Sequence, residues 1–257
     1  MPTWDSDQYL RFARERTQPA RDLAARLDVP AGESVLDLGC GPGNSTAVLA
    51  KLFSGAAITG ADNSDAMLAR ARVDHPELCF VHLDATGDLS AFEGQYGLVF
   101  SNACLHWIPD HQSLIPRLMR LLKPGGTLAV QVPVAKRMQM YSEVVWPIVE
   151  QPRWRKLLIE RPVFGTLAAD EYLDVLSGCA SDFDLWETTY YHLLGEPREV
   201  LEWFRGSGLR PYLQQLEPDD AEAFEGEVLE RIEEVFPRRA DGGVTLRFPR
   251  LFFVARN

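Results

Sequence analysis

Residues 35–43, with the sequence VLDLGCGPG, constrain the fold of this chain more than any other stretch. A short apolar run that ends in turn residues is typical of an interior strand of a parallel sheet. Gly39, Gly41 and Gly43 lack a Cβ atom, so the backbone there can turn sharply and lie against a ligand. Residues 44–46 are of types that begin helices, and an apolar run follows them. The stretch therefore predicts a buried strand, a glycine-rich turn and a helix.

The spacing of these glycines bears on what the turn can bind. It is G-x-G-x-G, whereas dinucleotide turns read G-x-G-x-x-G, and Pro42 removes one N–H that a pyrophosphate would use. The G-x-x-x-x-G-K-[ST] motif of nucleoside triphosphate sites is absent from the sequence. A ligand without phosphate, such as S-adenosylmethionine, fits this turn better, and Asp37 would then face its cationic end. The alternative is an ordinary tight turn that binds no ligand.

Two further predicted strands end in acidic residues. The first, residues 57–62, ends at Asp62, which lies 19 residues after Gly43. A spacing of about 20 is typical of the acid that binds the ribose hydroxyls in doubly wound folds. Residues 79–85 form the next predicted strand, from which Asp84 would accept a hydrogen bond from the adenine amino group. For Asp62, the alternative is a surface acid at a strand end.

The loop after the fourth predicted strand, residues 96–102, supplies further candidates. It leaves the carboxyl end of a central strand, where open α/β sheets bind their ligands. We therefore expect Asn102, His106 and Trp107 to surround the reacting methyl group. For His106, the alternative is a buried histidine that only makes structural hydrogen bonds.

Strands and helices alternate from residue 34 to residue 134, which predicts right-handed crossovers and a doubly wound, mostly parallel seven-stranded sheet. The sequence KPGG at residues 123–126 predicts a sharp turn before a fifth strand at 127–132. Two further strands, residues 184–194 and 245–255, would pair with each other and form the antiparallel end of the sheet. We expect a single domain of four parts, namely an N-terminal helical flap (1–30), a cofactor-binding core (31–134), a helical cap (135–181) and C-terminal strands and helices (182–257).

Composition narrows the class of protein. The net charge of −11 disfavours a nucleic-acid partner. The four cysteines show no C-x-x-C spacing, which indicates buried thiols in a reducing compartment and predicts neither disulfides nor a metal site. The N-terminus has no signal-peptide pattern, and no apolar run approaches the roughly 18 residues of a membrane span. We expect a cytoplasmic protein without a membrane partner, and the sequence predicts no particular oligomeric state.

The motifs described so far resemble those of the class I S-adenosylmethionine-dependent methyltransferases. A closer similarity, which reaches both ends of the chain, is to the trans-aconitate 2-methyltransferases. It is carried by the sequences LHWIPDH (105–111), TTYYH (188–192), GLRPYLQ (208–214) and FPRLF (248–252). The resemblance implies a cytoplasmic enzyme that forms a methyl ester on a small polycarboxylate, with S-adenosylmethionine as cofactor and no metal.

The resemblance and the residue patterns together predict two sets of site residues. The cofactor would contact Tyr9, Arg16, Asp37, Gly39, Gly41, Asn44, Asp62, Asn63, Met67, Asp84, Ala85, Asn102 and Trp107. The anionic acceptor would be bound by Tyr190, Tyr191, His192, Arg210 and Arg250, with His106, Trp107, Tyr191, His192 and Arg250 positioning the reacting groups. For Tyr9 and Arg16, the alternative is a helix that only packs on the core.

Carboxylate chemistry explains why no catalytic base is predicted. A carboxyl group with a pKa near 4 is already ionised at pH 7 and can attack the methyl group directly. The chain departs from the family pattern directly after residues 131–133, where members carry Asp-Asn and this chain has Val134 and Ala135. The acceptor could therefore also be a carrier-bound or peptide carboxylate.

Two other hypotheses are open at this point. A methyltransferase acting on a neutral oxygen or nitrogen nucleophile would need a base, for which His106 or His192 would serve. A cofactor-binding module without activity would show damage at Gly39, Asp62 or Asp84, and all three residues are intact.

Overall fold

The computed structural model describes residues 12–158 and 164–257. The predicted cofactor contact of Tyr9 and the first part of the predicted flap lie outside these residues.

Seven strands form one sheet, in the order β3-β2-β1-β4-β5-β7-β6. In chain order they are β1 (Ser34–Leu38), β2 (Ala57–Asp62), β3 (Cys79–His82), β4 (Tyr96–Asn102), β5 (Leu122–Pro133), β6 (Asp182–Leu194) and β7 (Val244–Arg256). Neighbouring strands from β3 to β5 pair in parallel, and β5 pairs with β7 in antiparallel orientation. The predicted mostly parallel seven-stranded sheet with an antiparallel C-terminal strand is confirmed.

Among the described residues, the first helix precedes β1 and the others lie between strands. They are α1 (Ala13–Ala24), α2 (Asn44–Leu52), α3 (Asp65–Asp74), α4 (His111–Met119), α5 (Trp146–Val149), α6 (Ala169–Cys179), α7 (Pro197–Arg205), α8 (Arg210–Leu213) and α9 (Pro218–Val235). Ser64 caps α3, because its hydroxyl accepts a hydrogen bond from the Met67 N–H at 3.4 Å. In the described part of the chain, every helix is too short or too polar to cross a membrane.

Strand β1 lies between β2 and β4, so the connections on its two sides run in opposite directions along the sheet. This is the switch point at which open α/β sheets form a ligand-binding crevice beyond the carboxyl ends of the strands. The interior of the sheet at this point is apolar, since Val35, Leu36, Val99 and Phe100 are fully buried. The glycine-rich turn therefore follows directly after a rigid, buried strand and lies at the crevice.

Two predicted boundaries were wrong. Strand β5 begins at Leu122 instead of residue 127, and residues 123–126, where a sharp turn was predicted, form an irregular segment within the strand. The pairing with β4 shifts register between Tyr96 and Leu98, and this irregularity accommodates the glycines, one of which, Gly125, has a φ of +76°. Strand β3 ends at His82 instead of residue 85, because the chain turns at Asp84, whose carboxylate accepts a hydrogen bond from the Thr86 N–H.

The predicted helical content of residues 135–181 is confirmed for the described part of this segment. Besides α5 and α6, it contains short 3₁₀ turns at Ala135–Arg137 and Arg155–Leu158 and a π-helical turn at Met140–Val145. The function of this segment as a cap stays a prediction.

The chain divides into two compact units. The larger unit comprises Thr17–Pro133, Phe164–Thr188 and Arg250–Asn257, and the smaller unit comprises Met1–Arg16, Val134–Val163 and Thr189–Pro249. The predicted organisation as a single domain of four parts stays a prediction.

The cores of the two units differ in the residues that form them. The core of the larger unit consists of the apolar strands and the helices that follow them, as described above for β1 and β4. The core of the smaller unit is aromatic, with Phe204 in edge contact with Tyr141 at 5.7 Å and stacked with Phe248 at 5.9 Å.

Candidate functional site

The turn after β1 has the backbone geometry that its glycines predict. Gly39, Gly41 and Gly43 have φ values of +74°, +54° and +90°, a region that other residues rarely adopt. A Cβ atom on Gly39 would lie 2.1 Å from the Cys104 sulfur, and one on Gly43 would lie 2.8 Å from His75. A Cβ on Gly41 would meet no atom of the described residues within 4 Å. The first and third glycines thus permit close packing, while the middle one leaves its backbone facing open space.

Asp37 connects β1 to the helix after the turn. It is fully buried, and its Oδ2 accepts hydrogen bonds from the hydroxyls of Ser45 at 2.7 Å and Thr46 at 2.6 Å. Among the described residues, no hydrogen-bond partner lies at Oδ1. Burial raises the pKa of the Asp37 carboxyl to about 6, against the opposing effect of the two hydroxyls. Asp37 therefore holds the turn in place and keeps one buried oxygen for a further donor.

Asp62, at the end of β2, supports the same turn. Its Oδ2 accepts a hydrogen bond from the Gly41 N–H, and its Oδ1 accepts one from the Ser64 N–H, both at 2.9 Å. Asn63, next in the chain, is exposed, and Met67 in the first turn of α3 is half-buried. The structure thus brings Asp62 directly to the glycine turn, and its predicted contact with a ribose stays a prediction.

Asp84 lies just beyond the end of β3. Its Oδ1 accepts hydrogen bonds from both the N–H and the hydroxyl of Thr86 at 2.8 Å, and these bonds lower the pKa of the carboxyl. The side chain is exposed, while the adjacent Ala85 is buried. Its predicted role in binding adenine stays a prediction.

Two other predicted cofactor contacts have the following positions. Asn44 is the first residue of α2, directly after the glycine turn, and is half-buried. Arg16 belongs to the smaller unit, where its Nη2 donates to the Trp203 carbonyl at 2.8 Å and its guanidinium lies 5.1 Å from the centre of the Trp203 ring. These contacts account for the position of Arg16 within its own unit, and its contact with a cofactor stays a prediction.

A second group of polar residues lies where β4, β5 and β7 meet, and we call Asn102, His106, Gln131 and Arg250 the arginine cluster. Asn102 is paired with Gln131 across β4 and β5, and Arg250 is paired with Pro133 across β5 and β7. The Arg250 side chain is only 6% exposed, and its Nη1 donates to the Gln131 Oε1 at 3.4 Å. The cluster therefore places a buried positive charge near the carboxyl ends of β4 and β5.

His106 contributes a neutral imidazole to this cluster. Burial, together with the positive charge of Arg250 and the proximity of His111, lowers the pKa of His106 to about 3. The ring is therefore uncharged at neutral pH, and within residues 12–158 and 164–257 its buried Nδ1 has no hydrogen-bond partner. The His106 carbonyl accepts from the Gly165 N–H at 2.9 Å, which fixes the backbone. Trp107 is partly exposed, and its ring packs against His106 at 4.6 Å.

The loop that carries His106 is held by residues that the sequence did not single out. His111 is fully buried, with its Nε2 2.9 Å from the Leu105 carbonyl and its Nδ1 2.5 Å from the Tyr172 hydroxyl. A carbonyl can only accept, so Nε2 carries the proton and Nδ1 accepts from Tyr172. The loop also contains Ala103, with a strained φ of +52°. The contacts of His111 with Leu105 and Tyr172 therefore fix the position of the loop.

The remaining predicted substrate contacts lie in the smaller unit. Tyr190 and His192 share one face of β6, with their rings stacked at 6.1 Å, and His192 also stacks on Trp203 at 4.7 Å. Tyr191 points to the other face, is 60% exposed and lies beneath Arg247. Arg210 is exposed at the start of α8. Tyr191 is thus separated from its two neighbours by the alternation of the strand, and a role for these residues in substrate binding stays a prediction.

Within the described ranges, no three His, Cys, Asp or Glu side chains are grouped so that they could hold a metal ion. The expectation of a reaction without metal stays a prediction.

Residues 35–126 match the model of the family described as "Methyltransferase domain". The chain is 45% identical to the trans-aconitate 2-methyltransferase of Methylobacterium nodulans, over 100% of this chain and 99% of the relative. It is 40% identical to the protein of the same name from Azoarcus sp., over 99% of both chains.

Solved structures support the fold. The YcgJ protein of Bacillus subtilis has a TM-score of 0.60 at 14% identity, covering 93% of this chain and 98% of that chain. The phosphoethanolamine N-methyltransferase 2 of Haemonchus contortus, in complex with S-adenosylhomocysteine, has a TM-score of 0.58 at 16% identity, covering 93% of this chain and 52% of that chain. At these identities the similarity concerns the fold alone.

Proposed function

This chain belongs to the trans-aconitate 2-methyltransferase family, and we propose that it transfers a methyl group from S-adenosylmethionine to a carboxylate of trans-aconitate, forming a methyl ester. The observation that carries the proposal is the arginine cluster, in which the buried Arg250 lies with the neutral His106 near the carboxyl ends of β4 and β5. A buried guanidinium beside neutral donors suits a carboxylate ligand.

The residues of the glycine turn fit the cofactor. The open space beside Gly41 admits a ligand against the backbone, and the buried Oδ1 of Asp37 is available to a cationic donor. Asp62 and Asp84 lie at the ends of the next two strands, where the ribose and adenine would be held. When bound, S-adenosylmethionine supplies an electrophilic methyl group on a positively charged sulfur.

The properties of the cluster support a carboxylate acceptor over a neutral one. A carboxylate is ionised at pH 7 and needs no base, whereas a neutral nucleophile would need one. His106, whose pKa is lowered to about 3, is too weak a base for that role. Catalysis would then rest on positioning, which can contribute about 7–11 kcal/mol. The chain would hold the acceptor through Arg250 and orient it through the fixed loop around His106.

The partner of the site would be a small anionic carboxylate. A longer, carrier-bound acceptor is not favoured, because the relatives that the chain matches over their full length carry the name of a small-molecule enzyme. A cytoplasmic location fits an enzyme with four free cysteines, and it stays a prediction, as does the absence of a nucleic-acid partner.

A transfer assay tests the proposal. The protein is incubated with S-adenosylmethionine carrying a labelled methyl group and with trans-aconitate or other di- and tricarboxylic acids, one at a time. We expect trans-aconitate to gain one labelled methyl group that mild base removes, as it does from an ester. The control is Arg256→Ala, which removes an exposed arginine from the same strand as Arg250 and should not alter transfer. Transfer only to other acids, or to a position stable in base, would contradict the proposal.

A further inference from the structure

We infer that His106 binds the acceptor directly, by donating its Nδ1–H to a carboxylate oxygen while the imidazole stays uncharged. This inference rests on the proposed function, because it concerns the same site. The sequence leaves two roles open for His106, a donor to the substrate or a buried residue with only structural hydrogen bonds. The structure allows these roles to be compared within one loop.

The comparison is between two buried histidines, His106 and His111. Both ring nitrogens of His111 have partners, with Nε2 2.9 Å from the Leu105 carbonyl and Nδ1 2.5 Å from the Tyr172 hydroxyl. His106 is 6% exposed, and among the described residues its buried Nδ1 has no hydrogen-bond partner. Buried polar side-chain atoms usually have a partner, because leaving one unpaired costs free energy. His111 therefore has the bonds of a structural histidine, whereas His106 has an atom that a ligand would satisfy.

The imidazole of His106 is held in its position by its neighbours. Its ring lies 4.6 Å from the ring of Trp107, and it is stacked on the ring of Phe164 at 6.1 Å, with 20° between the two planes. The backbone is fixed as well, since the His106 carbonyl accepts from the Gly165 N–H at 2.9 Å. A Cβ atom on Gly165 would overlap the Ile108 carbonyl oxygen, so this approach needs a glycine. The ring is therefore oriented before a ligand binds.

Two other atoms of the arginine cluster are in the same condition as the His106 Nδ1. Asn102 and Gln131 are paired across β4 and β5, and the Oδ1 of Asn102 and the Nε2 of Gln131 are buried without a hydrogen-bond partner in the part of the chain that the structure describes. Asn102 can present either its amide oxygen or its NH₂ group to a ligand. Arg250 already has partners, among them the Gln131 Oε1. The grouping of neutral amide and imidazole atoms therefore indicates one polar ligand.

The chemistry of the acceptor determines which nitrogen of His106 carries the proton. An ionised carboxyl group has only hydrogen-bond acceptors, so the imidazole must donate to it, with the proton on Nδ1. A hydroxyl or amine that loses its proton in the reaction would instead donate to an unprotonated Nδ1. The position of the proton on His106 therefore reports the class of acceptor that the site binds.

The charge of the imidazole follows from its surroundings. The charged and titratable groups that act on His106 are Arg250 on β7 and His111 on α4. Burial, the positive charge of Arg250 and the proximity of His111 lower the pKa of His106 to about 3. At neutral pH the imidazole therefore offers a carboxylate one N–H donor and transfers no proton to it.

Calorimetry on two variants tests the hydrogen bond. Trans-aconitate is titrated into the complex of each protein with S-adenosylhomocysteine, so that binding is measured without turnover. His106→Phe keeps an aromatic ring and removes the nitrogen, and we expect it to weaken acid binding about 10-fold or more, since one hydrogen bond to a charged group is lost. His106→Gln keeps a neutral N–H donor and should bind the acid within about threefold of wild type. The matched control is His82→Phe, which removes an exposed histidine in contact with Asp65 and should leave acid binding unchanged.

Nitrogen-15 NMR of the histidine rings separates this role from a merely structural one. In the complex with trans-aconitate, His106 should show one protonated and one unprotonated ring nitrogen at every pH between 6 and 8, with the proton on Nδ1. The chain has five histidines, and the signal that is lost in His106→Gln identifies His106. Because the measurement is made on the wild type, it decides the test if His106→Phe does not fold.

The outcomes distinguish the inference from the proposed function. Acid binding that is unchanged in His106→Phe, an equal loss in both His106 variants, a proton on Nε2, or protons on both nitrogens would each overturn the inference. If the wild type binds another polycarboxylate instead of trans-aconitate, and His106→Phe weakens that binding, the inference stands and the proposed acceptor is wrong. If the wild type binds no carboxylic acid, both are overturned.

Discussion

Asp37→Asn removes a buried carboxylate that destabilises the unliganded protein at neutral pH. The carboxyl is fully buried, and burial raises its pKa to about 6, although hydrogen bonds from Thr46 and Ser45 act in the opposite direction. The difference from the ordinary value of 3.8 corresponds to about 3 kcal/mol. An asparagine oxygen can still accept from both hydroxyls, so the variant keeps these contacts and loses the charge.

The sign of the pH dependence follows from linkage. Because the pKa of Asp37 is higher in the folded protein, the native state binds more protons than the unfolded state between about pH 4 and pH 6. Its contribution to the free energy of unfolding therefore falls as the pH rises through this range and is constant above it. Asn has no such dependence, so the free energy of unfolding of the variant, relative to wild type, should rise by about 2 kcal/mol between pH 4 and pH 7.

Urea unfolding of both proteins at intervals from pH 4 to pH 7.5 measures this difference. Asp84→Asn is the matched control, since the pKa of Asp84 is lowered by its hydrogen bonds with Thr86, and its relative stability should change with pH in the opposite direction. A difference for Asp37→Asn that does not vary with pH, or that varies in the same direction as for Asp84→Asn, would refute this account of the buried carboxylate.

Three further predictions concern the site and its support. Asp62→Ala should abolish the binding of S-adenosylhomocysteine measured by calorimetry, because it removes the carboxylate that holds the Gly41 N–H, and unchanged binding would exclude Asp62 from the site. Arg250→Ala should lower methyl transfer to trans-aconitate at least 100-fold while the affinity for S-adenosylhomocysteine stays the same. A loss of that affinity would show that Arg250 belongs to the cofactor site and not to the acceptor site. Tyr172→Phe should lower the free energy of unfolding by about 1–3 kcal/mol, because the buried Nδ1 of His111 loses its donor, and an unchanged stability in urea unfolding would argue against the inferred tautomer.

The sequence predicted the parts of the structure that depend on local signals. The strand and turn at residues 35–43 follow from residue types within a few positions. Strand β4 was predicted with its observed bounds, Tyr96–Asn102. The mostly parallel sheet followed from the alternation of strands with helices and was likewise confirmed.

The features that were not predicted depend on residues far apart in the chain. Gln131 is one polar residue in an apolar strand, and it belongs to the arginine cluster through its hydrogen bond with Arg250, which lies 119 positions away. The support of the His106 loop depends on Tyr172, which lies 61 positions from His111. The alternation of side chains along β6 does imply from the sequence alone that Tyr191 faces away from Tyr190 and His192.

A crystal structure of the protein with S-adenosylhomocysteine and trans-aconitate tests the central claim most directly. We expect S-adenosylhomocysteine on the turn at residues 39–43 and a carboxylate of trans-aconitate within hydrogen-bond distance of Arg250. A complex in which the acid binds elsewhere, with Arg250 turned away from it, would contradict the account.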